Sequence, residues 1–339
     1  MQTQSLTAKG ILLNPILASL LLISLGPGVA ARMPDHRDAF QLNDSTNSAA
    51  AETLAGVLKG TDLAQSSVSS AQAAEAALRE GEAAFKRREM DKALAAYKRA
   101  YELNPRLYDA ALYAGDAEFV KAKNSTDARF RNEHLDAAGI WFARAIAIDP
   151  DRPTAYQYWG DALDAQGKMI EALSRFVDAI IADPYNKIPY VSLTQWALRH
   201  KAQLGHPKIE PPIGATAANS ADGSSNWAAY TTTRAAWLKT EFFKNYPAEK
   251  VYRHSLKEEA SALSLVAAAC ARDLQSGKVK ALEPSLAMLV KLNADGFVEA
   301  YVLFARPDQG IARDYTAYRA ANREKLRQYW LNVVILPLK

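Results

Sequence analysis

Three stretches of this chain end almost alike: YKRAYELNP at Pro105, FARAIAIDP at Pro150 and FVDAIIADP at Pro184. Counting back from each proline gives one pattern. Ala93, Tyr97, Ala100 and Pro105 form the first set, Ala138, Phe142, Ala145 and Pro150 the second, and Ala172, Phe176, Ala179 and Pro184 the third. The spacings within each set are four, three and five. Steps of three and four put residues on one face of a helix. Proline, which has no N–H to donate, then stops that helix. A glycine precedes each set: Gly81, Gly115 and Gly160. Pro150 and Pro184 are 34 residues apart; Pro105 and Pro150 are 45 apart, the same period with 11 residues inserted. Self-similarity at such a period marks a stack of supersecondary units that bury a continuous core together.

These five positions resemble the tetratricopeptide repeat (TPR). The resemblance implies antiparallel helix pairs in a right-handed superhelix. Gly81, Gly115 and Gly160 then take the small position of each first helix. Ala93, Ala138 and Ala172 open the second helices, Tyr97, Phe142 and Phe176 are the aromatics, and Ala100, Ala145 and Ala179 are the second small position. A fourth first-helix, Ile188 to Leu204, is expected to cap the stack, although Thr194 replaces its small residue and no second helix follows. The insertion KAKNSTDARFRN, Lys121 to Asn132, reads as a helix extension or loop within the second repeat, with a contact loop around Phe130 as the alternative. The expected fold is all-α: a TPR solenoid followed by a helical C-terminal region.

The rest of the chain divides by texture. Residues 1–31 carry Lys9, the apolar stretch Ile11 to Leu25 and then GPGVAA, which reads as a signal peptide cleaved after Ala30 or Ala31. The chain is thus expected to be an exported protein of bacterial type, periplasmic or secreted. The alternatives are an uncleaved membrane anchor over residues 11–30 and a true start at Met33. Residues 32–70 read as a disordered linker and 71–204 as the array. Residues 205–226 contain three prolines and three glycines and read as a loop, and 227–339 as further helices. The net charge of +4 is too small to imply a nucleic-acid partner. The single cysteine, Cys270, excludes an intrachain disulfide and reads as a buried hydrophobe.

The resemblance also implies a groove lined by the first helices, which the family uses to hold partner segments. The register projects Glu75, Leu78, Glu82 and Phe85 onto it, then Asp109, Leu112, Asp116 and Phe119, then Thr154, Gln157, Asp161 and Asp164. Ile188, Val191, Gln195 and Leu198 continue the surface. Glu82, Asp116 and Asp161 each follow a repeat glycine and form an acidic row. Such a row repels a carboxylate and suits a basic or amphipathic protein segment. A solvated helix face is the plainer reading. From Ala228 onward 17 Lys/Arg stand against 11 Asp/Glu, so the C-terminal helices themselves are a possible basic ligand.

Motifs for phosphate loops, dinucleotides, zinc proteases or serine hydrolases are absent from the sequence. His200, His206 and Glu210 do not fall on one helical turn, and His254 and Glu258 read as a surface pair four apart. No metal or cofactor is expected. The function expected is a non-enzymatic protein-interaction scaffold in the cell envelope. The alternative is an enzyme or ligand-binding protein whose site lies in the C-terminal helices, with the repeats as scaffold.

Overall fold

A computed structural model describes residues 62–212 and 222–336, with side chains from Ser69 onward. The expected leader and most of the linker lie outside the described residues. Ala74–Lys339 form one compact unit. Seven helices make up its first part: α1 (Asp62–Lys86), α2 (Met90–Leu103), α3 (Tyr108–Lys123), α4 (Ala128–Ile148), α5 (Thr154–Ala165), α6 (Met169–Ala182) and α7 (Lys187–His200). They form three helix pairs, α1–α2, α3–α4 and α5–α6, with α7 standing where a fourth first-helix belongs. This is the α-α solenoid that the period predicts.

The repeated residues have visible tasks. Each glycine lies under the aromatic of its partner helix. An ideal Cβ at Gly115 would sit 2.6 Å from the Phe142 ring, and one at Gly160 would sit 2.7 Å from the Phe176 ring. Tyr97 covers Gly81 in the same way. Ala93, Ala100, Ala138, Ala145, Ala172 and Ala179 are fully buried. The Asn or Asp before each proline also has a task. Asn104, Asp149 and Asp183 are extended at ψ 91°, 94° and 93°. Proline disfavours helical backbone in the residue before it. Their side-chain oxygens then accept from the N–H two residues on, at Arg106, Asp151 and Tyr185 (3.1, 3.0 and 3.2 Å). These side chains make the turn that starts the next unit.

The insertion is a helix extension. α3 has 16 residues and α4 has 21, against 12 and 14 for α5 and α6. Asp127 caps α4, its carboxylate accepting from the N–H groups of Arg129 and Phe130. Phe130 packs on His134 with ring centroids 4.1 Å apart.

The C-terminal helices are α8 (Trp227–Ala236), α9 (Phe242–Asn245), α10 (Leu256–Gln275), α11 (Pro284–Ala294), α12 (Val298–Ala305), α13 (Gln309–Ala312) and α14 (Tyr315–Tyr329). A π-helical turn, Trp237–Glu241, joins α8 to α9, and a second, Trp330–Val334, extends α14. Strand β1 (Gln203–Leu204) pairs antiparallel with β2 (Ile335–Leu336). One apolar core runs without a break from Phe176 and Ile180 on α6, through Leu193 and Trp196 on α7, to Leu263, Tyr301, Leu326 and Tyr329. Cys270 lies in that core. The stretch read as a loop between two helical parts is packed where described: Ile209 is fully buried and its carbonyl accepts from Tyr301 Oη at 3.1 Å.

The C-terminal region does dock on the array, but not through the acidic row. α14 lies against α6 and serves its C-terminal carbonyls, which a helix end leaves without partners. Tyr315 Oη donates to Ile181 O at 2.7 Å, and Arg319 donates to Ala182 O. Arg319 and Arg323 both reach Asp151 (2.5 Å each), and Arg327 reaches the buried Asp178 (2.5 Å). Asp151 and Asp178 are therefore the acids that receive the basic C-terminal surplus.

The glycine contacts give a test. Gly160→Val forces a side chain into the Phe176 ring and should cost about 1–3 kcal/mol in a urea melt. Gly160→Ala combined with Phe176→Leu should be less destabilised than the sum of the two single substitutions, because the ring that clashes is gone.

Candidate functional site

The first helices of the repeats share one face, and hydrogen bonds hold them in register. Tyr108 Oη on α3 accepts from the Ala155 N–H of α5 at 3.1 Å. Arg152 bonds Asp109 at 3.0 Å while its guanidinium lies 3.8 Å from the Tyr108 ring centroid. Gln157 on α5 donates to Ser192 on α7 at 3.4 Å. Asp164 accepts from Arg199 and pairs with His200, both at 2.7 Å.

The predicted groove residues separate into three groups. Leu112, Asp116, Phe119 and Gln157 are buried, so they belong to the wall and not to an open surface. Asp109 and Asp164 are ion-paired within the array. Leu78, Glu82, Phe85, Thr154 and Asp161 are half-buried, and Glu75 is exposed and pairs with Arg79 at 3.7 Å.

Burial shifts two of the three acids of the projected row. Asp116 is 1% exposed, and burial pushes its carboxyl up to about 7. Burial likewise pushes Asp161 up to about 6, against the pull of Arg199. Tyrosines stand among the acids. Tyr97 feels Glu82 and Asp116, Tyr113 feels Asp109, Glu82 and Asp116, and Tyr158 feels Asp116 and Asp161. Burial raises all three phenols. Tyr113 and Tyr158 stand three residues before Asp116 and Asp161, one turn earlier on the same helix faces. That spacing was available in the sequence.

The most open part of the face is α7. Its residues Leu193, Trp196 and Ala197 enter the core, and Tyr190 packs on Trp330 with centroids 6.0 Å apart. On the other side Ile188 is 49% exposed and Leu198 is 70% exposed, with Val191 and Gln195 between them. Val191 is half-buried and Gln195 exposed, so this side of α7 presents two exposed apolar side chains on a helix whose opposite face is core.

The C-terminal region contains a second constellation. Glu258 and Glu259, in the first turn of α10, are both buried. Glu259 accepts from Tyr230 Oη (2.8 Å), Arg234 (3.1 Å) and Arg306 (2.8 Å), and pairs with His254 Nε2 (3.1 Å). Glu258 accepts from Arg234 (2.6 Å) and Tyr252 Oη (3.0 Å). Burial alone would raise Glu259, but the His254 hydrogen bond and the Arg306 charge hold it down at about 2. For His254, burial opposes the charge, yet contact with Glu259 and Asp308 raises it. The expected surface pair of His254 and Glu258 does not form. His254 meets Glu259 and, through Nδ1, Asp308 (2.5 Å). Among the described residues, no group of three or more His, Cys, Asp or Glu is placed to hold a metal ion.

No protein-family model matches the chain, and no curated protein matches it. Solved structures do. The TPR domain of Arabidopsis OM64 is 22% identical, covers 38% of this chain and is itself covered over 98%, with a TM-score of 0.33. The first TPR of Spaghetti (RPAP3) bound to the HSP90 peptide SRMEEVD is 20% identical over 38% of this chain and 96% of its own, with a TM-score of 0.32. The first TPR domain of human RPAP3 is 20% identical over 38% of this chain and 92% of its own, also with a TM-score of 0.32.

Two opposite pH dependences follow from the buried carboxyls. Asp116 and Asp161 keep protons that the unfolded chain releases near pH 3.8, so their contribution to stability is full below that pH and is lost as pH rises towards 7. Asp116→Asn should equal the parent near pH 4 and exceed it at pH 8 in urea melts; a difference independent of pH would contradict this. Glu259 has the other sign, with stability present above pH 4.5 and lost as pH falls towards 2. Glu259→Gln should cost about 3–5 kcal/mol at neutral pH, because it leaves Arg306 and Arg234 short of a buried partner.

Proposed function

We propose that the chain is a non-enzymatic scaffold that holds an amphipathic segment of a partner protein on the first-helix face of its repeats. The observation that carries this is the row on α7 that exposes Ile188 and Leu198 on the side opposite the core, on a helix tied to α5 through Gln157 and Ser192. A partner helix would lay apolar residues along that row. Its basic side chains would then meet Glu82 and Asp161, the half-buried acids. The row disfavours an acidic segment, since a carboxylate there adds to existing negative charge. The leader-like residues 1–31 support a site of action in the cell envelope.

A peptide library displayed against the intact chain tests the reading. Enriched peptides should carry apolar residues at helical spacing with Lys or Arg between them. Ile188→Glu together with Leu198→Glu should weaken those peptides about 10-fold or more, while the thermal midpoint stays within a few degrees, since both sites are exposed. Unchanged affinity in the double variant removes α7 from the proposal. The mass of the mature chain, isolated from the organism, reads the leader: retention of residues 1–30 speaks against cleavage.

A further inference from the structure

A cavity of about 300 Å³ opens beside the Glu258–Glu259 constellation. Pro211 and Pro212 form one wall, Tyr230, Thr231 and Arg234 of α8 another, and Arg306 after α12 closes it. We propose that this cleft binds a small organic oxyanion, a carboxylate or a phosphate monoester carried on an apolar or aromatic body.

The argument rests on how the charges are layered. Both glutamates are buried beneath the cleft, while the side chains of Arg234 and Arg306 are 31% and 26% exposed and form part of its lining. Each ion pair thus has its negative end inward and its positive end at the cavity. Among the described residues no carboxylate lines the cleft. An incoming anion meets guanidinium first.

The two guanidiniums are also held in place before any ligand arrives. Arg234 is fixed by Nε to Glu258 and Nη1 to Glu259 and to Tyr230 Oη (3.2 Å). Arg306 is fixed by Nε to Glu259 and by Nη1 to Ile209 O at 2.9 Å. Ordering a long side chain is a large part of the cost of using arginine, and here folding has already ordered both. Guanidinium recognises carboxylate and phosphate oxygens geometrically as well as by charge. The remaining wall is apolar and rigid: two prolines, which have no N–H to offer, and the tyrosine ring. A few fixed polar groups in an otherwise apolar recess is the usual build of a small-molecule site.

Arginine variants are poor probes, because each would strand a buried glutamate. Thr231 is the useful position, since it is exposed, lines the cleft and stands outside the ion network. Benzoate and phenyl phosphate, each titrated against the intact chain by ligand-observed NMR, separate the two anion classes, and inorganic phosphate serves as the bare-ion control. At least one aromatic probe should saturate at millimolar concentration or below and bind more tightly than inorganic phosphate. Thr231→Asp, which places a carboxylate in the cleft, should weaken that probe about 10-fold or more, and Thr231→Asn should keep affinity within about threefold. Both variants should melt with the parent. Absence of saturation by either probe, or equal affinity in the parent and Thr231→Asp, overturns the proposal. Peptides selected on the α7 face should bind Thr231→Asp unchanged, which keeps failure here distinct from failure of the scaffold reading.

Discussion

The contact of a bare glycine backbone with an aromatic ring sets the geometry of the whole array. Phe142 over Gly115 and Phe176 over Gly160 leave no space for a methyl group. Helices of a pair can approach that closely only where one side chain is missing and the opposing one is a flat ring. Once the spacing within a pair is fixed, the buried alanines fix the spacing between pairs. The Asx turns before the prolines then deliver each new helix in the same relation to the last.

Electrostatics acts in two different ways on this frame. Where α14 meets α6, arginines satisfy helix-end carbonyls and add to the partners of repeat carboxylates, and the ion pairs Arg327–Asp178 and Arg319–Asp151 bind one region to the other. Around Glu259, four donors converge on one carboxylate and keep it ionised in a buried place. On the repeat face the reverse holds. Asp116 is buried and Asp161 half-buried, and burial pushes their carboxyls up to about 7 and about 6. A buried carboxyl is thus held down in one part of the molecule and pushed up in another. Formal charge therefore overstates how acidic the repeat face is.

The repeats were legible because their constraint is local and periodic: residues four, three and five apart do one job three times. The insertion was legible only as a helix extension or a loop, since residues present in one repeat alone carry no period to decide between them. Burial along the projected face was not legible, since a register says which way Asp116 points and nothing about what covers it. His254 shows a sharper failure. Spacing of four suggests Glu258, but Ser255 caps α10, so His254 lies before the helix and the helical rule does not reach it. The docking of α14 was half legible. Arg319, Arg323 and Arg327 stand four apart and so share a helix face. Their partners, Asp151 and Asp178, lie some 150 residues away along the chain, where no periodicity extends.

The small ladder between Gln203–Leu204 and Ile335–Leu336 has a topological meaning. The chain leaves the end of α7, travels through every C-terminal helix and returns to the place it left. Residues 205–334 are therefore a closed excursion, entered and exited at one point. A segment with adjoining ends can be added to a parent fold without rerouting it. The C-terminal region is grown on α7, the one helix whose second helix is missing. It covers the core face that the next repeat would otherwise have to cover.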